Sequence, residues 1–107
     1  MARRGNVLYK NLLAGIIEEN DEGYIYSYLP EYLNHLEAKP ISVTLPLTSI
    51  PYQSKTFFPF FDGLIPEGWM LQVAAHNWKL DSRDRMGLLL AVCKDCIGAV
   101  RIEALNE

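Results

Sequence analysis

Toward its beginning the chain carries short apolar runs bounded by polar turn residues, with alternation of faces over 24–29, and through its middle apolar positions recur every three to four residues. Alternation places successive side chains on opposite faces of a strand, whereas the three-to-four spacing lines up one face of a helix. Residues 7–9, 12–17 and 24–29 therefore predict a meander of three strands, with an acidic turn over 18–23 between the last two. In the third strand Tyr24, Tyr26 and Tyr28 fall at spacing two and share one face, while Ile25, Ser27 and Leu29 take the other. Ahead of the meander, Arg3 and Arg4 belong to a short basic end expected to be frayed and solvated.

Pro30 and Glu31, followed by Tyr32, Leu33 and Leu36, predict a short helix that ends before Pro40. Residues 41–45 alternate as a short strand, and Pro46 and Pro51 bracket an irregular loop through Tyr52, Gln53, Ser54 and Lys55. Thr56 is the expected cap of a helix whose stripe is Phe57, Phe58, Phe60, Phe61 and Leu64, which reads as core. A further helix is expected from Glu67 through Trp69, Val73, Ala74 and Trp78, and another, capped by Asp81 or Ser82, through Met86, Leu89, Leu90 and Cys93. A last strand is expected over 98–102. The predicted class is α+β: a small, mostly antiparallel sheet of the N-terminal meander plus a C-terminal strand, with a central cluster of helices.

The 107 residues are half hydrophobic and 21% charged, which predicts one domain over 1–107 with a single core. A net charge of −3 provides no overall positive field, so direct nucleic-acid binding is not expected. The apolar runs fall far short of the roughly 20 residues that span a bilayer, no signal peptide is evident, and two cysteines cannot form a disulfide framework. The expectation is a cytoplasmic protein without a membrane partner.

Signatures of catalysis are missing from the sequence: no GxGxxG, GxxxxGK[ST] or GxSxG, and no HRD or DFG element. His35 and His76 fall on separate predicted helices and read as surface or satisfied histidines. Cys93 and Cys96 have the CxxC spacing of a zinc or redox pair, yet a closed zinc site needs two further ligands and a thioredoxin motif opens a helix rather than closing one. Asp62, Glu67, Asp81 and Asp84 read mostly as caps or solvated charges, and Lys79, Arg83 and Arg85, interrupted by acids, as a mixed-charge face. No catalytic residue, metal or cofactor is assigned.

One segment differs in kind. Phe57-Phe58-Pro59-Phe60-Phe61-Asp62-Gly63-Leu64-Ile65-Pro66-Glu67-Gly68-Trp69 resembles the FFxxLLPEG signature of the HipA amino-terminal region, the subdomain preceding the kinase core of HipA-type serine/threonine kinases. Three more matches keep the family's order along the chain, two upstream of this segment and one downstream. Tyr28 to Leu33 resembles the family's Y-x-P-E-W-L step, Pro40 to Leu47 its P-L-S-L-S-L-P-L strand, and Asp95 to Val100 its D-x-x-G-A-V ending. The pattern asks for no cysteine at 93 or 96, and the residues of a kinase active site are not among these 107.

The chain thus resembles a free-standing form of the subdomain, as in the HipS antitoxins of three-part HipBST toxin–antitoxin systems. That resemblance implies a non-enzymatic antitoxin that docks on a HipT-like serine/threonine kinase and holds it inactive, while a HipB-like protein in the same complex supplies DNA binding. The candidate kinase-binding residues are Asp62, Pro66, Glu67, Gly68 and Trp69. Trp69 reads equally as an interface anchor or as a core indole; Glu67 has the chemistry to meet a cation or an orphan amide, and Pro66 and Gly68 shape the turn. Two other readings stay open: a scaffold or activating subunit that completes the kinase fold, and a metal or redox protein using Cys93 and Cys96.

Overall fold

A computed structural model describes residues 3–65, 83–93 and 99–105. Strands β1 (Arg3–Tyr9), β2 (Leu12–Asn20) and β3 (Gly23–Tyr28) form the expected meander. Lys10 and Asn11 turn the first hairpin with φ of 49° and 70°, the positive values that a two-residue type I′ turn demands of both central residues. With β4 (Tyr52–Ser54) and β5 (Val100–Ala104) the sheet runs β4-β3-β2-β1-β5, antiparallel throughout. Among the described residues the helices are α1 (Pro30–Leu33), α2 (Pro59–Asp62) and α3 (Arg85–Val92). The α+β class is thereby established.

Several boundaries differ from the sequence reading, each for a local reason. Arg3 and Arg4 are not frayed. They are the first rungs of β1, facing Glu19 and Glu18 across the hairpin, and these opposite-charge cross-strand pairs carry β2 on to Asn20, so the turn shrinks to Asp21 and Glu22. β2 gains one residue at Ala14, where the register slips from Val7↔Gly15 to Leu8↔Leu13. Ala14 is buried, and its carbonyl accepts the N–H of Leu29 at 2.9 Å, at the threshold of α1.

Residues 41–45 do not form a strand. Ser42 and Leu45 close a turn, with the Leu45 N–H on the Ser42 carbonyl at 3.0 Å and Ser42 Oγ accepting the Thr44 N–H at 3.2 Å. Ile41 and Leu45 are buried while Val43, at the turn's tip, is 95% exposed. Tyr52–Ser54, expected as loop, is an edge strand because β3 supplies its partners, Tyr26↔Tyr52 and Tyr24↔Ser54. Thr56 caps nothing. Phe58 stands at the N-cap of α2 with Pro59 first in the helix, a position where proline's fixed φ and missing N–H cost nothing and where the residue before it is driven extended. α1 stops at Leu33, so Leu36 lies beyond the helix and is fully exposed. Asp84 caps α3; Asp81, Ser82 and the helix expected from Glu67 to Trp78 lie outside the described residues. β5 starts two residues later than expected and ends at Ala104.

The tyrosine face of β3 is the centre of the core. Tyr26 is fully buried and meets Tyr28 and Phe61 at ring-centroid distances of 5.0 and 5.4 Å; Tyr28 stacks on Tyr32 of α1, and Phe57 sets its edge against Tyr24. From α3, Met86, Leu88 and Leu89 are buried without exposure, joining Val7, Ile17 and Ile102 in the same cluster. α3 lies close on β1 because Gly5 has no side chain: a Cβ there would come within 2.6 Å of Leu90 Cδ2. No described helix is long and apolar enough to cross a membrane.

Candidate partner-binding surface

Of the five residues assigned to kinase binding, Asp62 is described; Pro66, Glu67, Gly68 and Trp69 lie outside the described residues. Asp62 is the last residue of α2, and its position follows from its neighbours in sequence. Phe61 is fully buried, which turns the adjacent side chain outward, and the chain then runs through Gly63 and Leu64 to Ile65, which is again buried. Asp62 is half-exposed and accepts a charge-assisted hydrogen bond at 2.5 Å from Nε of Arg85, the first residue of α3. Two residues on, the Leu64 carbonyl accepts the thiol of Cys93 at 3.3 Å. The exit of α2 is therefore tied to both ends of α3.

Asp84, beside Arg85, reaches the other way. Its carboxylate accepts the Gly87 N–H at 3.2 Å, as an N-cap should, and takes Nη1 and Nη2 of Arg3 in a two-pronged pair at 2.8 and 2.7 Å. Nε of Arg3 donates to Glu19 at 2.7 Å. Glycine at 87 makes this possible, since a Cβ there would run into the Asp84 carboxylate and crowd Arg3 Nη1 at 3.0 Å. The Arg3 hydrogen bonds hold the Asp84 carboxyl below the usual carboxylate range, against the opposing effect of burial and with help from the Gly87 N–H. Asp84 and Glu19 in turn raise the Arg3 guanidinium, and burial together with Glu19 raises the Tyr24 phenol.

Two neighbouring residues at the start of α3 thus form a charged hub, one hand on α2 and the other on the sheet. These acids are committed to cations and a backbone amide, so the arrangement suits holding elements together rather than moving protons. His35 is separate from it, exposed just beyond α1 with Nδ1 accepting the Glu37 N–H at 3.0 Å. Cys93 is a fully buried thiol; Cys96, His76, Lys79 and Trp78 lie outside the described residues, among which no group of three His, Cys, Asp or Glu is placed to hold a metal.

Sequence reasoning missed Arg3 and Glu19 as a functional pair and took Arg85 as part of a solvated face. Glu19 was nearly within reach, because a two-residue turn at Lys10 and Asn11 sets the hairpin register. That register alone pairs Arg3 with Glu18; the extra residue at Ala14 moves the pairing to Glu19. Asp84, 81 positions from Arg3, had no such signal.

The motif, the fold and the sheet order together invite comparison with known proteins. A model of the HipA N-terminal domain matches residues 5–103. An uncharacterized protein of Haemophilus influenzae is 32% identical over 103 residues, a stretch covering 96% of this chain and 93% of that protein. A solved structure of the N-terminal domain of HipA toxin superimposes with a TM-score of 0.74 at 28% identity, covering 98% of this chain and 94% of that one. On the strength of a match that leaves out only a few residues at either end, the chain belongs to the HipA N-terminal domain family.

Proposed function

We propose that this protein is a non-catalytic, cytoplasmic component of a HipA-related toxin–antitoxin system: a HipS-like antitoxin subunit that binds a separately encoded, HipT-like serine/threonine kinase and neutralises it by direct contact. A HipB-like protein of the same complex supplies the DNA contact. The observation that supports this reading is the family match over residues 5–103, together with a relative of which the matching stretch covers 93%. Nothing in the sequence marks an ATP site or a catalytic aspartate of a kinase, so a role in such a system rests on binding.

Within that role the stretch around Asp62, Pro66, Glu67, Gly68 and Trp69 contacts the kinase. A tryptophan is well suited to anchor such a contact, because it buries a large rigid surface at little cost in side-chain entropy. Co-expression with the kinase tests the reading. The expected result is rescued growth, a stable complex and reduced phosphorylation, with Trp69→Ala weakening all three while the domain stays folded. A complex in which phosphorylation is unchanged or greater overturns inhibition and makes the chain a subunit that completes the kinase. Full protection by Trp69→Ala at equal expression removes Trp69 from the inhibitory surface.

A further inference from the structure

The turn over residues 42–45 combines a firm base with an apolar tip. One phenol holds both its feet: the Tyr28 hydroxyl accepts the Ile41 N–H at 3.0 Å and donates to the Leu45 carbonyl. Ile41 and Leu45 are buried in the core cluster, the hydroxyls of Ser42 and Thr44 lie 2.9 Å apart, and Pro40 and Pro46 restrict the chain on either side. Between them stands Val43, 95% exposed. Turns ordinarily carry Gly, Asn, Asp, Ser or Pro, whereas valine is apolar and stiff at χ1. A lone exposed apolar side chain carries no message, but among the described residues four of the five exposed large ones, Leu36, Val43, Leu47 and Ile50, lie in this one loop. The loop is also nearly free of charge. Residues 38–51 hold a single charged side chain, Lys39, whose backbone N–H and carbonyl are both fixed by the Tyr32 hydroxyl. Tyr32 stacks on Tyr28, so Lys39 and the turn share one support.

We propose that Val43 is a docking knob: the turn clasped by Tyr28 inserts it into an apolar recess of a partner protein whose rim carries a carboxylate for Lys39. This inference rests on the kinase-binding reading above and gives the kinase a second contact, apart from the stretch around Asp62. An apolar, charge-depleted centre with one cation beside it has the composition of an interface core and its rim, and calls for an apolar floor and an acidic edge opposite. The clasp favours a protein over a lipid surface as the occupant. A backbone fixed before binding escapes the ordering cost of association, an advantage realised only against a recess of matching shape.

The test uses the full chain, and because Val43 is exposed its variants leave the core untouched. Dissociation constants for the kinase are read for Val43→Ala, Val43→Asp and Lys39→Glu, with urea denaturation beside each. Binding is expected to weaken about tenfold for Val43→Ala, about a hundredfold for Val43→Asp, which buries an unpaired carboxylate, and about threefold for Lys39→Glu, all with unchanged unfolding midpoints. In the free protein the order parameter of the Val43 amide should be near the value of about 0.85 typical of rigid backbone, and should fall in Tyr28→Phe. Kinase binding by Val43→Asp within about twofold of the unaltered chain overturns the inference while leaving the proposed function in place. A mobile Val43 amide, with an order parameter below about 0.6, overturns it as well. Sedimentation with phosphatidylcholine–phosphatidylglycerol vesicles that is lost in Val43→Asp, with kinase binding unchanged, overturns it in favour of a lipid surface. An unaltered chain that does not bind the kinase overturns the proposed function, and this inference with it.

Discussion

Residues 34–51, between α1 and β4, and the start of α3 are both irregular junctions fastened to the same sheet, yet they are fastened by different chemistry. The first is held by neutral phenols. Tyr28 accepts the Ile41 N–H at 3.0 Å and donates to the Leu45 carbonyl; Tyr32 accepts the Lys39 N–H at 3.0 Å and donates to its carbonyl at 2.6 Å; Tyr52 donates to Pro46 O at 2.6 Å. The second is held by partly exposed ion pairs, Arg3 with Asp84 and Glu19, and Arg85 with Asp62. Neutral hydrogen bonds fix backbone with little dependence on salt, whereas exposed ion pairs are weak, screened and adjustable. The difference suits a domain with a permanent scaffold on one side and a tunable mount, at the start of α3, on the other.

Phe61→Ala should abolish the contrast, because Phe61 belongs to both halves: it is fully buried, packs on Tyr26 of the scaffold and precedes Asp62 of the mount. Truncating it should destabilise the domain by about 3–5 kcal/mol, a large share of the roughly 5–15 kcal/mol typical of a whole domain. Urea denaturation measures this directly, and a loss below about 1 kcal/mol would show that Phe61 is not the shared keystone.

Tyr28→Phe isolates the scaffold. It removes one hydroxyl but strands two backbone groups, the Ile41 N–H and the Leu45 carbonyl, both in buried residues. An expected loss of about 2–3 kcal/mol should be the same at low salt and at about 1 M salt. A strong salt dependence would contradict the assignment of neutral chemistry to this side.

Titration separates the two regions by direction. Burial raises the Tyr26 phenol and pushes that of Tyr28 up to about 12, above the roughly 10 of an unfolded tyrosine. A group raised in the folded state gives its full stabilisation below the unfolded value and loses it as pH climbs through the folded one, so the scaffold should weaken above about pH 10. Asp84 is depressed, so its contribution is complete above the ordinary carboxylate value of about 3.9 and is lost as pH falls through its own lower value. The stability profile should therefore have an alkaline limb that Tyr28→Phe reduces and an acid limb that Asp84→Asn reduces. An alkaline limb untouched by Tyr28→Phe would remove that phenol from the account.

How much of this was legible beforehand divides along the same line. Short apolar runs between turn residues marked the meander, and period-two spacing marked the shared face of Tyr24, Tyr26 and Tyr28, because both signals are local. Residues 41–45 have the same period and are not a strand, since a strand also needs a neighbour, and the Ser42 hydroxyl offers the backbone a turn instead. Tyr52–Ser54 is the converse case, a strand only because β3 lies beside it. The Phe-rich signature and the Asp62 position were readable as motif, but the partners of Asp62 and Asp84 come from remote parts of the chain, and no local pattern encodes them.

Arg3→Lys makes the finest cut, because it keeps the charge of the mount and removes its geometry. Arg3 uses both Nη atoms on Asp84 and Nε on Glu19, so one planar group serves two carboxylates on different elements. A lysine ammonium is a compact point charge that cannot reproduce the fork, and its strong hydration favours release to solvent. If geometry is what counts, the substitution should cost about 0.5–1 kcal/mol at low salt despite the unchanged net charge, and the deficit should shrink as salt screens the remaining attraction. Urea denaturation at two salt concentrations, set beside Arg3→Gln, resolves the matter: Lys behaving like Gln places the value of Arg3 in its fork, whereas Lys behaving like Arg reduces the clamp to simple attraction between a cation and two nearby acids.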